Sequence, residues 1–145
     1  MSTHLENELV IDAPVAVVWQ LTEDVEGWPA TTPTITSIAR LDNGPIRIGS
    51  TARVKQPGQR TAVWTVSAYR TNEEFAWGAK VFGVRMVGTH RLTPVGDDRC
   101  RNTLSIDMSG RGAKLLSRLV GKKILAAITT ENQGFKQAAE ALAQH

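Results

Sequence analysis

The sequence predicts an α+β fold in which an antiparallel meander of strands precedes one long helix. Two patterns carry this expectation. From residue 113 to 143, Leu116, Leu119, Val120, Ile124, Ala127, Ile128, Phe135, Ala138, Ala139 and Leu142 recur every three or four positions, the apolar stripe of an amphipathic helix. From Thr34 to Met108 the period shortens towards two, in short runs separated by Gly, Pro, Asn and Asp, as in successive strands joined by tight turns. The 145 residues contain no internal repeat, low-complexity tract or linker, so 1–145 reads as a single domain.

The elements follow in order. Residues 6–12 are rich in Leu, Val and Ile and form a first strand. Asp12-Ala-Pro-Val then starts a short helix, with Asp12 or Ala13 as cap, Pro14 in the first turn and Val15, Val18, Trp19 and Leu21 on its buried side. Residues 22–33 carry Gly27, Pro29 and Pro33 around Trp28, which predicts a broken helix or loop with one aromatic anchor. Strands follow at 35–41, 50–56, 60–70, 74–81, 84–93 and 101–108, with turns at Asp42-Asn43-Gly44-Pro45, Pro57-Gly58, Thr71-Asn72-Glu73 and Pro94 to Asp98. The terminal helix, at ~1.5 Å per residue, is about 45 Å long. Gly121 and Gly134 interrupt it, each at a cost of about 1 kcal/mol relative to Ala. Close packing against neighbouring backbone explains such glycines more simply than space left for a ligand.

Alternation assigns faces. Met86, Gly88, His90 and Leu92 point to the core, opposite Arg85, Val87, Thr89 and Arg91. Leu104, Ile106 and Met108 also face in. Phe75, Trp77 and Ala79 form one set. Trp64, Val66 and Ala68 form another, with Val63, Thr65, Ser67 and Tyr69 on the reverse side.

Composition excludes several classes. A net charge of +3 is mild and far from that of a nucleic-acid-binding protein. No apolar run approaches the ~20 residues of a membrane span, and the first residues lack a signal-peptide pattern. The single Cys100 excludes an intramolecular disulfide and fits a reducing cytoplasm. His4, His90 and His145 are far apart, and no zinc spacing, Walker loop, Gly-x-Gly-x-x-Gly or Gly-x-Ser-x-Gly occurs. The expectation is no metal and no cofactor.

Local motifs narrow the fold. Ile11-Asp-Ala-Pro-Val-Ala-Val-Val-Trp19 resembles the opening of the polyketide cyclase/dehydrase-like branch of the START-like (SRPBCC) superfamily, and Glu23-Asp-Val-Glu-Gly-Trp28-Pro continues the likeness. Trp64-Thr-Val66 is similar to that branch's central strand and Phe75-Ala-Trp77 to its neighbour. His90-Arg-Leu92-Thr-Pro94 resembles its "His, x, Leu, x, Pro" strand end. Glu131-Asn-Gln-Gly134-Phe135-Lys136-Gln-Ala-Ala139-Glu140 resembles its helical ending, with Phe in place of Leu. The resemblance implies a helix-grip fold: a seven-stranded antiparallel sheet wrapped around the long C-terminal helix, two short helices after strand 1, and an apolar cavity between sheet and helix. It implies little about chemistry, because function resides in sites rather than folds.

The expected activity is binding of a hydrophobic or amphipathic small molecule, such as a lipid, fatty acid or polyketide-like ring compound. Trp28, Trp64, Trp77, Met86, His90, Ile106, Leu116 and Val120 are its candidate lining. Plain core packing explains each tryptophan equally well, and Trp19 has no assigned role. The alternative is a cyclase or dehydratase in which His90 moves protons. Against it stands the simpler reading of His90 as a hydrogen-bonded, half-buried core residue. A third possibility is an accessory protein whose cavity is filled by its own side chains. Glu131, Arg53 and Lys55 could anchor a polar ligand group, although solvated charges explain them more simply. Tyr69 reads as surface packing, and Cys100 as a spectator thiol despite Arg99 and Arg101 beside it. Arg111, Lys114, Arg118, Lys122 and Lys123 form a basic group without an acid from Ser109 to Thr130. A solvated face accounts for them, and weak contact with an anionic membrane or ligand head group is the functional alternative.

Overall fold

The structure, a computed structural model, describes residues 2–144; Met1 and His145, which enter the sequence reading, lie outside the described residues. Seven strands form one antiparallel sheet: β1 (Ser2–Ile11), β2 (Ser37–Arg40), β3 (Thr51–Lys55), β4 (Ala62–Arg70), β5 (Glu74–Val81), β6 (Val84–Pro94) and β7 (Cys100–Ser109). Their spatial order is β1-β7-β6-β5-β4-β3-β2. The meander β2–β7 runs in sequence order, and β1 closes the far edge by pairing with β7. Helix α1 (Val15–Glu23) and a 3-10 turn, η1 (Val25–Ala30), separate β1 from β2, and α2 (Ala113–Ala143) ends the chain. This is the helix-grip arrangement, with seven strands and a long terminal helix.

Several boundaries differ from the sequence reading: β2 and β4 each begin two residues later than expected, and β3 is one residue shorter at each end. β1 begins four residues earlier than expected, because its polar start alternates with pairing partners along all of β7, from Ser2 opposite Ser109 to Ile11 opposite Cys100. His4, Glu6 and Glu8 are exposed on one side, and Leu5 and Leu9 pack against the core on the other. Pro14, rather than Asp12 or Ala13, is the N-cap of α1, with extended backbone and no side-chain bond. The Asp12 amide instead donates to the Glu140 carboxylate at 2.8 Å, tying the start of α1 to the end of α2.

A bulge decides the inner face of β4. The register runs from Val66 opposite Trp77 to Ala68 opposite Ala76, so Ser67 is an extra residue. Beyond it parity flips, and Tyr69 pairs with inward Phe75. Tyr69, read from the sequence as surface packing, therefore turns to the inner side and is half-buried. Its ring packs on Trp19 with centroids 5.5 Å apart, and its hydroxyl donates to Glu23 at 2.7 Å.

The grip on α2 is polar as well as apolar. Asn102 of β7 and Asn132 of α2 are wholly buried. Asn102 Nδ2 donates to Asn132 Oδ1 at 2.9 Å, and Asn132 Nδ2 donates to the Asn102 carbonyl and to Asn7 Oδ1 of β1, both at 3.0 Å. This directional contact holds the helix to the β1–β7 edge, because any sliding would leave buried amides unpaired. Two residues further on, a Cβ at Gly134 would stand 2.1 Å from the Thr31 carbonyl oxygen. Only glycine permits that approach of α2 to the end of η1.

Candidate functional site

The inner face of the sheet carries an aromatic cluster that continues onto η1 and α2. Cross-strand register aligns Val66, Trp77, Gly88 and Ile106 in one row and Phe75, His90 and Leu104 in the next. Gly88 leaves room for its neighbours: a Cβ there would meet Ile106 Cδ1 at 3.4 Å and Trp77 Cδ1 at 3.8 Å. Trp28 descends onto this face from η1, held by its indole N–H donating to the Leu21 and Thr22 carbonyls at 3.0 and 3.2 Å.

His90 sits at the centre. Its ring lies 4.8 Å from Trp28 at a 31° tilt, with Phe135 at 5.5 Å and Phe75 at 5.9 Å meeting it edge-on. Trp28 in turn meets Trp77 at 5.2 Å, and Trp77 meets Trp64 at 5.9 Å. Rings thus run continuously from α2 to β4. The expectation of a hydrogen-bonded, half-buried histidine is corrected: His90 is only 9% exposed and its Nδ1 has no partner. Burial pushes its pKa down to about 3, because an imidazolium in an aromatic box has lost its water. At neutral pH His90 is an uncharged ring whose buried Nδ1 is unpaired. No carboxylate contributes to its shift.

Of the other expected lining residues, Trp28, Trp64, Trp77 and Met86 are buried. Ile106 and Leu116 pack half-buried against the core, and Val120 is likewise half-buried. The inward stripe of α2 passes from Ala113 through Gly121 and Ile128 to Asn132, Phe135 and Ala139. Its two glycines differ. Gly134 is clamped as described, whereas a Cβ at buried Gly121 would meet only Ser117 Oγ of its own helix, at 3.4 Å. The close-packing explanation therefore holds for Gly134 and fails for Gly121. The second half of α2 is fastened to the sheet and η1, whereas at Gly121 in its first half no sheet atom comes within 4 Å of a Cβ built on the backbone.

Glu131 also departs from expectation. The residue keeps partial solvent exposure, yet burial raises its carboxyl to about 7, with a Thr34 hydrogen bond acting weakly the other way. It is no freely solvated charge. Arg53 is exposed on the reverse face of β3, and Lys55 Nζ donates to the Gln59 carbonyl at 2.6 Å. Cys100 is wholly buried and its thiol is pushed up by burial, opposite to the effect expected from Arg99 and Arg101. The basic residues Arg111, Lys114, Arg118, Lys122 and Lys123 are all exposed.

Sequence reasoning missed Phe75 and Phe135 as walls of the His90 box and did not single out the Asn7–Asn102–Asn132 contact. A polar residue at position 132 of an otherwise apolar stripe was the available signal. Among the described residues, no group of three or more His, Cys, Asp or Glu could hold a metal, and no helix is long and apolar enough to cross a membrane. Two surface depressions, one of about 590 Å³ beside Val15, Arg70 and Arg91 and one of about 540 Å³ beside Arg111, Lys114 and Leu115, touch none of the expected lining residues.

Comparison with known proteins agrees with this architecture. Residues 2–145 match the family model described as polyketide cyclase / dehydrase and lipid transport. A stretch of 29 residues is 59% identical to a Streptomyces halstedii protein named as a candidate polyketide cyclase; it spans 20% of this chain and only 27% of that relative. The crystal structure of the Zhui aromatase/cyclase from a Streptomyces species superposes with a TM-score of 0.71 at 18% identity, covering 99% of this chain and 94% of that one. Norcoclaurine synthase from Thalictrum flavum, in complex with dopamine and hydroxybenzaldehyde, gives a TM-score of 0.72 at 15% identity, covering 100% and 88%. At such identities these two structures establish the fold alone.

Proposed function

The chain belongs to the polyketide cyclase / dehydrase and lipid transport family, and from that premise we propose that it reversibly binds a hydrophobic or amphipathic small molecule of polyketide-like, flat-ringed character. The ligand lies beneath the first half of α2, against Trp64, Trp77, Met86, Ile106, Leu116 and Val120, with the ring of His90 and Trp28 behind. The observation that carries this reading is Gly121, a buried helix position where no sheet atom comes within 4 Å of a Cβ built on the backbone. Burial of apolar ligand surface supplies the affinity, at ~25 cal/mol per Å² before association costs. His90 Nδ1 offers one unpaired polar atom to orient a ligand hydroxyl or carbonyl. The cytoplasmic placement read from the single Cys100 is part of the same proposal.

The catalytic alternative, a cyclase or dehydratase working through His90, is less well supported. A general base is most effective near the working pH, and burial holds His90 at about 3 with no carboxylate to assist it. The filled-interior alternative has one observation in its favour, the ring-on-ring packing of Trp28, Trp77, His90 and Phe135. In the account proposed here that packing closes the half of the interior under Phe135 and leaves the half under Gly121.

Native mass spectrometry of freshly purified protein, followed by organic extraction, tests the reading. The expected result is a stoichiometric adduct of apolar, ring-containing mass, or its appearance on adding a dihydroxyanthraquinone. Failure of such compounds to bind at any soluble concentration would contradict it. His90→Ala separates the readings further, since a binder keeps most of its affinity whereas a cyclase loses turnover and still binds.

A further inference from the structure

We infer that the end of the molecule formed by the β5–β6 turn and the start of α2 is a docking surface for an anionic lipid bilayer. The topology brings three loops to this end: β3–β4 (residues 56–61), β5–β6 (residues 82–83) and β7–α2 (residues 110–112). A Cβ at Gly110 would approach the Gly83 carbonyl oxygen to 4.0 Å, and one at Gly112 would approach Val84 Cγ2 to the same distance. The turn and the helix start are therefore neighbours. Lys55, Arg60, Lys80, Arg85, Arg111 and Lys114 stand in or beside these loops, and no Asp or Glu occurs in residues 55–61, 80–85 or 109–130. The nearest acid along β7, Asp107, is engaged by His4 at 2.6 Å. Acidic residues gather instead at the opposite end, in the β4–β5 and β6–β7 turns with Glu73, Asp97 and Asp98.

This arrangement works against the isolated protein in three ways. Lys80 and Arg85 are directly cross-strand partners, a repulsive pairing. The cations of α2 crowd the positive end of its dipole. Phe82 sits at φ 52, a left-handed turn position that suits Asn or Gly far better than an aromatic residue, and its side chain is 89% exposed. Leu115 and Leu119, one helical turn apart on α2, are 61% and 70% exposed beside the Lys114, Arg118 and Lys122 ridge. Apolar tips projecting through a basic rim complement a bilayer whose anionic headgroups take the cations while Phe82 and the leucines enter the acyl boundary.

Co-sedimentation of the full chain with phosphatidylcholine vesicles, with and without phosphatidylglycerol, tests this. The wild type should bind only the anionic vesicles and release with added salt. Phe82→Asn, which suits the turn backbone and should leave Tm unchanged or raised, should weaken binding roughly tenfold. Lys114→Glu with Arg118→Glu should abolish it. Binding to neither vesicle, or undiminished binding of Phe82→Asn, would overturn the inference. So would a concentration-dependent dimer of the wild type that Phe82→Asn disperses, which would assign the patch to a second copy of the chain.

Discussion

At the scale of single residues, two titratable groups shifted by burial give stability opposite pH slopes. The unfolded imidazole of His90 takes its proton near 6.5 and the folded one only near 3. Between those values the unfolded chain holds the extra proton, so stability falls as pH drops through this window, by up to about 1.4 kcal/mol per pH unit. His90→Phe, which keeps an aromatic ring in the box, should flatten that acid limb in urea titrations taken at successive pH values. Glu131 has the reverse sign. Its carboxyl titrates near 7 when folded and near 4.5 when unfolded, so the folded chain holds the extra proton between them and stability falls as pH rises through that range. Glu131→Gln should therefore raise Tm above neutral pH and leave it unchanged below about pH 4, as read by calorimetry. Neither environment was legible in the sequence. Alternation placed His90 inward, but its burial depends on Trp28 and Phe135 arriving from η1 and α2, contacts that no local pattern encodes.

At the scale of elements, α2 is the part the sequence announced most clearly, because a 31-residue helix with an apolar stripe has a period that few other structures share. The strands were legible for the same reason, with β5 read to the residue and β6 and β7 to within one at each end. What periodicity could not convey was the β4 bulge, since an extra residue changes parity without changing composition. It also could not distinguish two glycines of one helix, whose difference lies in what stands opposite. That difference is measurable. Gly134→Ala should cost about 2–3 kcal/mol, as its methyl meets the Thr31 carbonyl, whereas Gly121→Ala should stabilise by up to ~1 kcal/mol through helix propensity. Asn132→Leu, by stranding the Asn102 side-chain amide, should destabilise by about 2–3 kcal/mol. Chemical denaturation of the three variants checks all of these.

For the whole molecule, the two halves of the helix–sheet interface have different parts in the proposed reading. The half around Asn132, Gly134 and Phe135 is closed by polar and aromatic contacts and sets where the helix lies. In the first half, Leu116 and Ile124 flank Gly121 as partly buried apolar residues, and this is where the proposed ligand would lie. Fold and family were readable from motifs spread along nearly the whole chain, but the candidate site was readable only as a face, not as this division. The most direct test is a tryptophan-fluorescence titration with a dihydroxyanthraquinone, comparing wild type with Gly121→Leu. The account predicts at least roughly tenfold weaker binding by the variant, with Tm unchanged or higher, because the leucine occupies the ligand's space. Equal affinity in the two proteins would place the ligand elsewhere and contradict the central claim.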